Sequence, residues 1–425
     1  MSSKYFQLSE SYIFKIKYPI YLGEALPAFC LYYRDKNNIF TKNLGMNVFD
    51  VAVIGSGPAG ASAALKLAEN GISTVLIEKE TLPRYKTCGG GFVFRGRKNM
   101  PFDVSEVVDR EFNRVDIYFD KAGIHLSPER DQPIVSMIMR DDFDNLITQK
   151  AKKAGVTLLE NYKLKDLTFG EIITLHTSQG DVQAKFVIAA DGALSPTAKI
   201  AGWEETRYLI PALEYEVEVS PEDFERLSKE VRFDFDAVPL GYGWSFPKKN
   251  HLSIGVASAR RTKIDLKKYY REYLVTLGIK EVVYEEFHGF QIPVSPREDG
   301  FFRKNVMLVG DAAGFADPVT AEGISNAIRT GVMAAESIIE GQLDSKKTEE
   351  IYDAKLNKVL IPELKTGVYL SKLFYENERA RHFLMKKYGV RFGEAMTDVF
   401  MGERSYPADI KKSIMNKLKG FVFKK

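Results

Sequence analysis

The chain has 425 residues, 45% hydrophobic and 28% charged, enough for two or three domains with a substantial buried core. Sixty basic residues stand against 57 acidic ones, so the formal net charge of +3 excludes the electrostatic footprint of a nucleic-acid binder. The two cysteines, Cys30 and Cys88, exclude a disulfide framework, and the five scattered histidines offer no zinc-ligand spacing.

Residues 1–45 come first, with an apolar run that Pro19, Glu24 and Pro27 interrupt. The run makes a poor signal peptide, and no stretch of the chain reaches the ~18 apolar residues of a spanning helix. Two readings of 1–45 stand: an upstream extension outside the fold, and an arm packed on its surface. From Phe49 the pattern is βαβ: FDVAVIG a buried strand, PAGASAALKLAENG a helix ending at Gly71, STVLIEK a second strand.

Between the first strand and the helix lies Gly55-Ser56-Gly57-Pro58-Ala59-Gly60. Gly55 permits the tight turn, Gly57 lets backbone approach a pyrophosphate, and Gly60 lets helix and strand pack closely. The helix start at Ala59 directs free amides and a positive dipole end at the phosphates. Glu78 ends the second strand about 20 residues after the glycines, where a carboxylate can accept both hydroxyls of an adenosine ribose.

PRYKTCGGGF (83–92) then sets Cys88 directly before three glycines, with Arg84 and Lys86 alongside. Such bare backbone suits close approach to a flat ligand. Segments around 114–127 alternate like a strand pair, and MRDDFDNLITQKAKKAG reads as a helix. Strands are expected near 156–160, 163–169 and 171–177, and KFVIAADG is a buried strand meeting a turn at Asp191. Residues 212–290 are mostly strand-like, with short helices at about 221–229 and 265–277. Within them GYGWSFP places Tyr242, Trp244 and Phe246 on one face of a strand, able to wall an apolar tunnel.

NVMLVGDAAG returns to a buried strand with Asp311 at its C-terminal end, where ligands of open α/β sheets sit. Asp311 can bind a polyol hydroxyl such as that of a ribityl chain. The helix opening at Gly323 and Ile324 can face its amides to the flavin edge that becomes negative on reduction, worth about 0.3–1 kcal/mol. Helices are expected over 322–340 and 347–389. DIKKSIMNKLKGFVFKK closes the chain with lysines among apolar residues, a pattern suited to an anionic membrane surface.

Strands and helices thus alternate at both ends of a β-rich insert. The expected fold is α/β: a Rossmann-type FAD-binding domain assembled from discontinuous segments, an inserted mixed β-sheet substrate (cap) domain, and a helical C-terminus. The FAD-binding segments are 46–110, 136–205 and 293–342. The cap comprises the strand pair 111–135 and the sheet 206–292, and 343–425 is helical.

GSGPAG with Glu78, RDDFDNLI with Arg140, AADG with Asp191, and GDAAGFADP with Gly323 resemble the p-hydroxybenzoate-hydroxylase-like FAD flavoproteins over roughly 46–340. PRYKTCGGGF and GYGWSFP are similar to two signatures of the geranylgeranyl reductase family within that group. The resemblance implies an FAD-dependent oxidoreductase that reduces C=C bonds of an isoprenoid chain, a step of lipid metabolism. The alternative is an FAD monooxygenase or halogenase of the same fold.

The resemblance also implies FAD contacts at Gly55, Gly57, Ala59, Gly60, Glu78, Cys88, Gly89, Gly91, Arg140, Leu164, Asp191, Asp311, Gly323 and Ile324, with Arg84 or Lys86 near phosphate. Cys88, Tyr242 and Trp244 are the candidates at the reacting end; a proton is needed there, and the motifs display no buried acid. A single fingerprint leaves the reductant to come from outside, as NAD(P)H or a ferredoxin-type donor. The expected partners are a prenyl-lipid substrate and a membrane touched through the basic C-terminus, with no nucleic acid. A cytoplasmic monomer, membrane-associated on that face, is expected.

Overall fold

The computed structural model describes residues 48–260 and 262–406; the 1–45 segment and the basic stretch 409–425 lie outside the described residues. At the centre of the first sheet is Val48–Ile54, flanked in parallel by Thr74–Ile77 and Gly180–Ala189. Thr157–Leu159 and Val306–Leu308 extend the sheet at either side, again in parallel. Parallel strands are covered on both faces, which is why these segments are apolar runs and not alternations. The antiparallel strands Leu164–Thr168, Ile173–Thr177 and Phe302–Arg303 complete it.

Helix Pro58–Glu69 packs against Arg140–Lys153 and Ile324–Glu340. A Cβ at Gly331 would stand 2.1 Å from the Ala59 carbonyl oxygen, so two backbones nearly touch there. That contact fixes the late helix against the turn that carries the glycine fingerprint.

The second sheet has seven strands in the order Val282–Pro293, Leu209–Val219, Leu252–Ser258, Gly241–Pro247, Arg232–Asp234, Asp116–Phe119, Ile124–Leu126. All neighbours are antiparallel except Arg232–Asp234 with Asp116–Phe119. The expected strand pair near 114–127 therefore exists and joins the later strands in one mixed sheet. A third sheet of Gly91–Val93, Val135–Ile138 and Val108–Phe112 has no counterpart in the sequence reading.

The helical C-terminus corrects one expectation. The helix expected over 347–389 is three helices, Ser345–Val359, Ile361–Tyr375 and Glu378–Met401. Pro362 falls in the first turn of the second, where its missing N–H does no harm but where a continuous helix would lose a bond. Asn377 starts the third by accepting the Ala380 amide at 2.9 Å. This last helix sends Met385, Met396 and Phe400 into the same apolar cluster as Tyr242, Trp244 and Phe246.

Candidate active site

Gly55 has a φ of +98°, and a Cβ on it would lie 2.5 Å from the Ala190 carbonyl oxygen. A Cβ on Gly60 would lie 1.9 Å from the Gly55 oxygen, so helix and turn are locked together there. Gly57 differs: its nearest neighbour would be Arg140 Nη2 at 3.7 Å. The turn therefore presents an open, bare backbone at Gly57, followed by Pro58 and the unbonded first-turn amides of the helix. That is a cradle a dinucleotide phosphate fits, and Arg140 borders it.

Glu78 is buried and tied into this turn. Its Oε2 accepts the Ser56 amide at 3.0 Å and the Ser56 hydroxyl at 2.6 Å. Its Oε1 accepts the Glu80 amide at 3.2 Å. Leu164 is a buried core residue just beyond Tyr162, whose amide bonds the Glu78 carbonyl at 2.9 Å. Asp191 caps the short Pro196–Ile200 helix, accepting Ser195 Oγ at 2.6 Å and the Thr197 amide at 2.9 Å.

The two basic residues of PRYKTCGGGF separate. Arg84 is held by Asp144 at 2.9 Å and approaches Glu78 at 3.6 Å, while Arg140 grips the same Asp144 with two bonds of 2.8 Å. Asp144, fully buried on helix Arg140–Lys153, thus fixes both guanidinium groups. Lys86 lies instead over the Phe290 ring at 3.9 Å, near Arg140, Asp311 and Cys88. Burial, then the Arg140 charge, lower its pKa.

Asp311, expected at the end of a buried strand, lies just past Val306–Leu308 in the first turn of a short helix, Gly310–Ala313, and beside Gly323. A Cβ on Gly323 would be 3.4 Å from Asp311 Oδ1. Burial raises the Asp311 pKa, and Lys86 and Arg140 oppose the shift. The amide row at the start of Ile324–Glu340 is partly engaged, because Glu322 Oε1 accepts the Ser325 amide at 2.7 Å. Arg95 pairs with Glu322 at 3.5 Å and Glu363 at 3.0 Å behind it. Cys88 packs against an apolar cluster that includes Phe92, Ile138, Phe143 and Ile324, and the strand Gly91–Val93 that follows it contacts the late helix.

The three glycines have a packing cause besides any ligand. Gly89 would put a Cβ 3.0 Å from Trp244 Nε1 and 3.1 Å from Phe246 Cδ2. Gly90 has a φ of +67°, and its Cβ would meet the Ile138 oxygen at 2.1 Å. The Cys-Gly loop is thus seated on the aromatic strand of the second sheet. Tyr242 is buried and its hydroxyl donates to the Thr320 carbonyl at 2.8 Å, which makes it a tether between the sheet and the loop before Gly323. Burial pushes that phenol's pKa above its usual value, so its proton is poorly placed for donation.

Two site residues escape the sequence reading. Lys248, fully buried, donates to the carbonyls of Gly89 at 2.7 Å and Ile138 at 2.8 Å, stapling the glycine loop to the sheet. Glu214, also buried, accepts Ser253 Oγ at 2.5 Å, and Trp244 Nε1 donates to the same hydroxyl at 3.3 Å. Burial, reinforced by the Glu216 charge, pushes its pKa up to about 7. The available signal was weak: Glu214 and Glu216 sit at alternate positions of a strand facing the Trp244 side, where solvated carboxylates look the same.

A model of the FAD-binding domain family matches residues 48–342. The chain is 31% identical over 411 residues to the chloroplastic geranylgeranyl diphosphate reductase of Arabidopsis thaliana, covering 88% of this chain and 85% of that one. It is 31% identical over 318 residues to the digeranylgeranylglycerophospholipid reductase of Thermoplasma acidophilum, covering 68% and 78%. A crystal structure of a geranylgeranyl bacteriochlorophyll reductase-like protein from Thermoplasma acidophilum matches with a TM-score of 0.70 at 25% identity, over 80% of this chain and 91% of that one. A halogenase matches with a TM-score of 0.63 at 18% identity over 84% and 83%, a likeness of fold alone.

Proposed function

Because the chain belongs to the geranylgeranyl reductase family of FAD-binding proteins, we propose that it reduces C=C bonds of a geranylgeranyl chain at the meeting point of Cys88, Trp244 and Gly323. The observation that carries this reading is the Cys-Gly loop seated on Trp244 and Phe246, which joins both family signatures in one place. Halogenases share the fold without any observation here that favours their chemistry.

FAD is held by the segments 46–110, 136–205 and 293–342, and the substrate by the cap segments 111–135 and 206–292. Gly55, Gly57, Ala59, Gly60 and Arg140 take the pyrophosphate, Glu78, Leu164 and Asp191 the adenosine side, and Asp311 the ribityl chain. Cys88, Gly89, Gly91, Gly323 and Ile324 border the ring. Bound there and reduced, FAD would supply the hydride for an alkene carbon. The chain's own residues orient the alkene and exclude water, through Trp244, Phe246 and the adaptable Met385, Met396 and Met401 beside them. The reducing equivalents come from NAD(P)H or a ferredoxin-type donor.

The test is direct. FAD-loaded protein is reduced anaerobically and given geranylgeranyl diphosphate or a geranylgeranyl-bearing lipid. Mass spectrometry should show products heavier by pairs of hydrogens. Products that gain oxygen or halogen, and no hydrogen, would overturn the reading.

The substrate reaches the site from an anionic membrane on the cytoplasmic face. Among the described residues no helix is long and apolar enough to cross a membrane. Support comes from helix Glu378–Met401, where Phe383 (67% exposed), Leu384, Tyr388 and Val390 (74% exposed) stand beside exposed Lys386, Lys387 and Arg391. Apolar side chains among basic ones match an anionic lipid surface. Phe383→Ser with Val390→Ser should weaken sedimentation with phosphatidylglycerol vesicles at least about fivefold, since each lost apolar contact costs roughly 1 kcal/mol. Deleting 409–425 tests the basic tail separately. Binding unchanged in both variants would refute the contact.

A further inference from the structure

Glu214 lies in the strand Leu209–Val219, directly across from Gly255, which in turn faces Trp244 on the next strand. A Cβ on Gly255 would stand 2.1 Å from Trp244 Cζ2, so the indole folds over the glycine towards Glu214. A hydrogen-bonded line results, from Trp244 Nε1 through the Ser253 hydroxyl to Glu214 Oε1. The second oxygen, Oε2, is buried and makes no well-formed hydrogen bond, although the Cys88 amide faces the carboxyl. A buried carboxylate oxygen left alone is costly, and a proton on it removes the cost of the charge.

The surroundings agree. Glu216 stands two residues away on the same strand, and His251 Nε2 meets Glu216 Oε2 at 2.9 Å. The Tyr85 hydroxyl approaches the other oxygen of Glu216 at 3.4 Å. From the thiol loop Tyr85 and the Cys88 amide face Glu214; Lys248 faces it from the end of the aromatic strand. His288 is its direct neighbour on the adjacent strand, stacked on Tyr85 at 4.1 Å. Of these, burial and Glu216 favour the neutral acid, while Ser253, Lys248 and the Cys88 amide favour the anion. The balance leaves a carboxyl that changes state close to neutrality.

We propose that Glu214 is the acid that delivers the proton to the alkene, from the sheet side of the Cys-Gly loop. The inference rests on the reductase reading above. The alkene's π pair would form a C–H bond with the proton that Glu214 holds, and the other carbon would take the hydride that bound, reduced FAD supplies. The substrate gains two hydrogens, the flavin is oxidised by two electrons, and Glu214 is left as carboxylate. Glu216, in contact with half-exposed Tyr85, lies on its way to a solvent proton. Such positioned acids typically contribute 10²–10⁴-fold.

Two measurements on FAD-loaded protein test it. First, pH-difference infrared spectra of the wild type should contain a protonated-carboxyl band that titrates near pH 7, absent in Glu214→Gln and displaced in Ser253→Ala, which removes the partner of Oε1. Second, reoxidation of prereduced protein by geranylgeranyl diphosphate should slow at least about 100-fold in Glu214→Gln, with substrate affinity unchanged. The wild-type rate should fall above about pH 7, and the variant should lose that dependence. Glu214→Asp should recover part of the rate. A band that survives in Glu214→Gln, or a variant within threefold of wild type, overturns the proposal. If the wild type itself is not reoxidised by any geranylgeranyl compound, it is the reductase reading that fails, and the infrared titration still decides whether Glu214 carries a proton.

Discussion

Gly60→Val is expected to yield a protein without bound FAD and less stable by about 3 kcal/mol or more, at the upper end of overpacked sites. The first atom added at Gly60 lands 1.9 Å from the Gly55 carbonyl oxygen and 3.0 Å from the Ala190 Cβ. Neither neighbour can move freely, because Gly55 bonds Ile77 at 2.8 Å and Ala190 bonds Ile54 at 2.9 Å. The helix would have to lift from the central strand, and its amides would leave the phosphate cradle. Gly57→Val is the informative partner. Its nearest neighbour would be Arg140 Nη2 at an ordinary contact distance of 3.7 Å, so the fold should survive while flavin affinity falls at least about tenfold through blockage of the phosphate face. Denaturant unfolding and flavin absorbance read the two effects separately. Equal stability in Gly60→Val and wild type would contradict the close packing described.

Lys248→Met is expected to loosen the thiol loop. It strips the donor from the buried carbonyl of Ile138 and the half-buried one of Gly89, the first worth roughly 1–3 kcal/mol when left unpaired and the second less. Removing a buried ammonium offsets part of that, so a net loss of about 2–4 kcal/mol is expected. The more specific readout is chemical. In a Cys30→Ser background Cys88 is the remaining thiol, and its alkylation rate should rise at least about tenfold as the loop opens more often. Unchanged alkylation would show that the glycines alone hold the loop against Trp244 and Phe246.

These two residues mark the border of what is legible in the sequence. The demands on Gly55, Gly57 and Gly60 are local: the turn, the helix start and the next strand follow within a few residues, so the cradle could be placed without coordinates. Asp311 and Gly323 were legible for the same reason, each tied to the end of one element. Lys248 and Glu214 look like any strand-end lysine or alternate-position glutamate. Only the pairing of Leu209–Val219 with Leu252–Ser258 and the folding of Trp244 over Gly255 put Glu214 out of water, and only the seating of the glycine loop on Ile138 does so for Lys248. The C-terminal error has the opposite origin. Pro362 and Asn377 were visible stop and start signals, outweighed by a helical composition that runs through both. The third small sheet was hidden because Val108–Phe112 shows neither clean alternation nor a buried run.

The threading of the central sheet constrains how the protein is made. Val48–Ile54 finds its neighbour Thr74–Ile77 early, but its other neighbour, Gly180–Ala189, follows more than a hundred residues on, and that strand's outer partner, Val306–Leu308, as far again. At roughly 5–20 residues per second, the nascent chain waits on the order of 10–50 s between the first strand and the last. For the last part of that interval, roughly 6–23 s, the Val187–Ala189 end of the strand's outer edge is unpaired, while Ile173–Thr177 already covers Gly180–Ala184, and the open end is a template for wrong pairing with other chains. Chaperone demand during synthesis is thus written into the strand order, and circular permutants that bring 306–308 forward should relieve it.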